Sequence, residues 1–82
     1  MEAGQVRAAR GLLRWGQAEL AAKSGISVPT IKRLEAMDGE LSGHTATMRA
    51  LQTAFEAAGV QFIAENGGGA GVRLAKPKGA AE

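Results

Sequence analysis

The chain has 82 residues, 45% of them apolar and 22% charged, the proportions of one globular domain with no room for a second core. It has no cysteine and a single histidine, His44, which excludes a disulfide scaffold and a thiolate metal site. The net charge is only +2, but residues 1–37 carry six basic side chains against three acidic ones, so an anionic partner is expected to meet the first half.

Val6, Ala9, Leu12 and Leu13 recur at helical spacing among Arg7, Arg10 and Arg14, which predicts an amphipathic helix over residues 3–15. Trp15-Gly16 ends it. A second, short helix opens at Gln17 and runs to Lys23, and Ser24-Gly25 closes it with a glycine suited to a left-handed cap. Ser27 is a good N-cap for a third helix, and Pro29 is tolerated in its first turn, where the missing N–H has no helical partner to lose. That helix places Ile31, Leu34 and Glu35 on one face and runs to about Met37. Asp38-Gly39 is a turn signal. A fourth helix from about His44 to Ala58 presents Met48, Leu51, Phe55 and Ala58, and Gly59 stops it.

Beyond Gly59 the pattern changes. Val60-Gln61-Phe62-Ile63-Ala64-Glu65 is β-prone, Asn66 to Gly71 is a glycine-rich turn, and Val72-Arg73-Leu74 is a second apolar stretch. These predict a hairpin over residues 60–75. Residues 76–82 read as a disordered tail. The expected architecture is mainly α: four helices over residues 1–59, with a short C-terminal β-hairpin.

Two short helices joined by a few residues with a glycine form a helix-turn-helix unit. Ala21 is small enough for the third helix to cross closely, Gly25 takes the turn conformation, and Leu20, Ile26, Ile31 and Leu34 lock the two helices together. Ser24 departs from the apolar residue usual at its position. The stretch Gln17-Ala18-Glu19-Leu20-Ala21-Ala22-Lys23-Ser24-Gly25-Ile26-Ser27, followed by Thr30-Ile31-Lys32-Arg33-Leu34-Glu35, resembles the signature of the lambda-repressor-like, or Xre-type, family of bacterial and phage DNA-binding proteins. The resemblance covers about residues 5–58. It implies a helical bundle whose third helix lies in the DNA major groove. The ending, with a hairpin in place of the fifth helix common in phage repressors, is similar to a group of small proteobacterial regulators.

Helix geometry points Val28, Pro29, Lys32, Arg33 and Ala36 away from the core if Ile31 and Leu34 face it. Arg33 has the fork for guanine O6 and N7, Lys32 reaches guanine or phosphate, and Val28 and Pro29 suit a thymine methyl. The resemblance implies that Val28, Pro29, Lys32 and Arg33 are the base-reading positions; a solvated helix face is the plain alternative. Gln17 starts the second helix, whose free N–H groups favour phosphate, and the resemblance implies a backbone contact there. Ser27 and Thr30 at the start of the third helix, and Ser42, Gly43 and His44 before the fourth, complete the candidate phosphate contacts. The resemblance also implies a partly buried structural ion pair between Arg10 and Glu35.

No nucleophile, base and orienting group converge in the sequence, and the glycine run lacks the spacing of a phosphate-cradling loop, so neither catalysis nor a cofactor is expected. No run approaches the ~18–20 apolar residues of a membrane span, and Met1-Glu2-Ala3-Gly4 lacks the features of a signal peptide. A cytoplasmic protein is expected, and the leading function is a sequence-specific regulator acting on double-stranded DNA as a homodimer at a palindromic operator. One small helix-turn-helix makes few base contacts, so two half-sites are expected. Val60, Phe62, Ile63, Val72 and Leu74 of the hairpin are the candidate dimerisation residues. The rivals are an antitoxin-like subunit that binds a partner protein through its C-terminal segment, and a helix-turn-helix that binds only protein.

Overall fold

The computed structural model describes residues 1–75. Helix α1 (Ala3–Leu13) opens with the Gln5 side chain accepting a hydrogen bond from the Glu2 N–H at 2.8 Å. It ends earlier than the sequence pattern suggests, because Arg14 turns into the left-handed region at φ 57° and the Trp15 N–H returns to the Arg10 carbonyl. Ala3, Val6 and Ala9 are buried, but Leu12 is 43% exposed, so its expected place on the core face is corrected. It lies about 100° of helical arc from Leu13, at the margin of the buried stripe.

Helix α2 (Gln17–Ser24) ends on Gly25, which takes φ 78°. The Ser24 hydroxyl donates to the Leu20 carbonyl at 2.7 Å and accepts from the Ile26 N–H at 3.1 Å. This polar residue is thus satisfied within the turn. Helix α3 (Val28–Glu35) is capped by Ser27, whose hydroxyl accepts from the Thr30 N–H. Pro29 sits in its first turn. Ile31 and Leu34 are fully buried, and α3 packs on α1 and α2.

Helix α4 (Thr45–Ala57) closes the core with Leu51, Ala54 and Phe55, while Met48 packs at its margin. Ala58 is exposed, contrary to the expected stripe. The helix has ended by then and Ala58 lies in the turn, so helical spacing no longer places it; Ala54 fills that role instead.

Strands β1 (Val60–Ile63) and β2 (Gly71–Leu74) pair antiparallel, with Val60 opposite Leu74 and Phe62 opposite Val72. Alternation puts these four on one face and Gln61, Ile63 and Arg73 on the other. Val60 is only 2% exposed, and Phe62 and Val72 pack against the core. Phe55 sits between Trp15 and Phe62, with ring centroids 5.9 Å apart on each side. The architecture is therefore four helices with a two-stranded antiparallel hairpin that covers one side of their core, the mainly α arrangement expected from the sequence. The reading of residues 76–82 as a disordered tail falls outside the described residues.

The hairpin's role needs a correction. Val60 was expected at a dimer contact, but its side chain is enclosed within its own protomer. Phe62 and Val72 also face inward, and Leu74 shares their face. Ile63 alone of the five lies on the outer face. The segment is too short for a core of its own, so its apolar side completes that of the helices.

Candidate nucleic-acid interface

The outer face of α3 is set by its inner one. Ile31, Leu34 and Glu35 are buried, which turns Pro29, Lys32, Arg33 and Ala36 to solvent. Val28, at the first helical position, is half-buried. Lys32 and Arg33 make no hydrogen bond or ion pair among the described residues. Two cations thus project from a short helix whose start is rigidly capped.

The end of α3 is held from α1. Arg10 meets Glu35 through two parallel bonds, Nε to Oε2 at 2.6 Å and Nη2 to Oε1 at 2.8 Å. Arg10 also donates to the Trp15 carbonyl at 3.0 Å, and Arg7 donates to the Glu35 carbonyl. Burial pushes the Glu35 carboxyl pKa up, but hydrogen bonds from Arg10 and Gln17 and the charges of Arg10 and Arg7 outweigh it, leaving the group below its ordinary value. The Arg10 pKa is raised, chiefly by its bond to Glu35. Arg10 is therefore part of the scaffold, while Arg7, Arg14, Lys23, Lys32 and Arg33 remain exposed cations of the first half.

Gln17 stands at the first position of α2, and its side-chain amide donates to Glu35 Oε1 at 3.1 Å. The structure thus joins the start of α2 to the end of α3. Gly16 precedes it as a cap without a hydroxyl, and the Glu19 carboxylate reaches back to the Gly16 N–H at 3.4 Å. At the start of α3 the Ser27 hydroxyl donates to Thr30 Oγ1 at 3.0 Å. Ser42, Gly43 and His44 are exposed, and His44 is the N-cap of α4 without a side-chain bond to the helix. A long contact of 4.0 Å links the Ser42 hydroxyl to Met37 Sδ beyond α3. It is the one side-chain bond by which these three approach the helix-turn-helix among the described residues.

The arrangement offers hydrogen-bond donors at helix starts and two exposed cations on α3, chemistry suited to phosphates and base edges. Among the described residues no three His, Asp or Glu side chains gather to hold a metal ion. The model of the helix-turn-helix family matches residues 6–47, just over half of the chain. The chain belongs to that family. It is a lambda-repressor-like, Xre-type helix-turn-helix protein, a DNA-binding regulator by membership. The matched span starts within α1 at Val6, contains α2, the turn and α3, and stops at the first turn of α4. A comparison with curated proteins gives no match. No helix among the described residues is long and apolar enough to cross a membrane.

Sequence reasoning missed two anchoring residues. Arg7 has no signal beyond being one of several arginines on α1. Gln5 is 7% exposed and donates to the carbonyls of Ile63 at 3.2 Å and Gly71 at 2.8 Å. Its position three residues after Glu2 hints at the start of a helix. Its partners lie 58 and 66 residues away, where no local rule reaches.

Proposed function

We propose that this regulator reads a specific sequence by laying α3 in the major groove. The observation that carries this reading is the exposed face of Pro29, Lys32 and Arg33, whose two cations have no partner among the described residues, on a helix fixed at both ends. Arg33 bonds guanine O6 and N7 as a bidentate pair, Lys32 meets a guanine or a phosphate, and Val28 and Pro29 pack on a thymine methyl. Gln17, Ser27, Thr30 and the Ser42-Gly43-His44 segment contact the phosphate backbone and fix the register. Selection from random duplex DNA yields the bound sequence. Arg33→Ala then weakens binding to it by about 1–3 kcal/mol and hardly changes binding to unrelated duplexes. An equal loss on both makes Arg33 a phosphate contact and rejects the assignment.

Two copies act together on a palindromic operator in this reading. A helix of eight residues touches too few bases for useful discrimination alone, and paired half-sites supply the rest. Since most of the hairpin's apolar side lies against its own core, what remains for a partner is the Ile63 side and the open strand edges. Ile63→Lys lowers the sedimenting mass at a concentration where the unmodified chain is dimeric. A variant that dimerises as tightly as the unmodified chain moves the interface to the helices.

A further inference from the structure

The start of α2 and the end of α3 are joined by a hydrogen bond that falls on the partly buried ion pair. Glu35 Oε1 accepts from both Arg10 Nη2, at 2.8 Å, and Gln17 Nε2, at 3.1 Å, while Oε2 takes Arg10 Nε at 2.6 Å. Arg7 fixes the same residue at its carbonyl. Glu35 is 7% exposed, so both its carboxylate and its backbone are set from α1. A primary amide has two N–H groups and one acceptor oxygen. One N–H of Gln17 goes to Glu35; the second and the oxygen make no bond among the described residues, and the side chain is half-buried. A free glutamine loses rotamer freedom when it grips a ligand. This one has already lost it in the unbound protein. Its direction is fixed by the group that also fixes the end of α3.

We propose that Glu35 is a positioning residue for DNA binding. Clamped by Arg10, its carboxylate holds the Gln17 amide so that the second N–H meets a backbone phosphate while α3 lies in the groove. The inference rests on the DNA-binding reading above and adds to it a coupling between phosphate grip and recognition-helix register. A bare carboxylate beside DNA repels phosphate; here Arg10 neutralises it, so the anchor carries little electrostatic penalty.

The test uses the full chain and a fluorescein-labelled, mixed-sequence duplex of about 20 base pairs, with binding read by anisotropy over a range of salt concentrations. Gln17→Ala weakens binding roughly three- to tenfold, the worth of one hydrogen bond. The salt dependence stays unchanged, because a neutral amide displaces no counterion. The double variant Arg10→Met/Glu35→Met keeps the net charge and replaces the ion pair by apolar side chains, an exchange folded proteins often accept. It removes the anchor of Gln17 and weakens binding by a similar factor. Adding Gln17→Ala to it then changes nothing further. If Gln17→Ala costs as much in the apolar background as in the unmodified chain, the coupling is overturned and DNA binding stands. An unmodified chain that binds no duplex overturns both.

Should the double variant not fold, the unmodified chain still decides. Its Gln17 side-chain amide protons are expected to exchange with water more slowly than those of the exposed glutamines Gln52 and Gln61, and one of the two NMR signals moves on adding the duplex. Exchange as fast as that of the exposed glutamines, or signals unmoved by a bound duplex, overturn the proposal.

Discussion

Replacing Glu35 by alanine tests the scaffold beneath the interface. The substitution removes three hydrogen bonds to one carboxylate, two from Arg10 and one from Gln17. Losing one partner of a buried pair costs about 3–5 kcal/mol, because the remaining charge is left uncompensated. The Arg10 side chain is 22% exposed and water reaches part of it. The expected loss is thus near the lower bound, about 3 kcal/mol. A domain of this size is stable by only about 4–12 kcal/mol, so the effect is large. With a urea slope of about 1 kcal/mol per molar, the midpoint followed by circular dichroism falls by about 3 M.

The pH dependence follows from the depressed Glu35 pKa. The pair's contribution is fully present above the ordinary carboxyl pKa, 4.5, and is lost as pH falls through the lower folded-state value. The gap between unmodified chain and Glu35→Ala is therefore widest at neutral pH and narrows below pH about 4.5. A midpoint shift under about 1 M at neutral pH refutes the buried pair, since exposed pairs contribute under ~1 kcal/mol.

Further outcomes concern the turn and the hairpin. Gly25→Ala meets no atom within 4 Å of the added Cβ, so its cost is conformational strain at φ 78° alone. About 1–2 kcal/mol is expected in urea melts, with Gly25→Asn milder. Equal stability of Gly25→Ala and the unmodified chain contradicts the left-handed turn. Gln5→Ala leaves the Ile63 and Gly71 carbonyls and the Glu2 N–H without their partner, at about 1–3 kcal/mol. Hydrogen exchange in β1 and β2 is expected to quicken more than in α3; unchanged protection there means the amide does not hold the hairpin.

The helix-turn-helix is legible because its determinants are local. Gly25 ends α2, Ser27 starts α3, and Ile31 and Leu34 fall on one side of α3 by helical period, so the same spacing that buries them exposes Lys32 and Arg33. The Arg10–Glu35 pair was suggested by family resemblance; its bidentate geometry and the third partner, Gln17, depend on how α1, α2 and α3 cross. Periodicity failed where an element ended or met no neighbour: Ala58 lies past the helix, and Leu12 lies beside the buried stripe. The hairpin shows the limit most clearly. Its alternating apolar residues and glycine-rich turn dictate two paired strands, because strand period and turn chemistry act within a few residues. Which side of that pair is covered depends on Phe55 and Gln5 reaching it from other helices. Contacts between residues distant in sequence form only when the helices pack, and these turned an apparent exposed surface into part of the core.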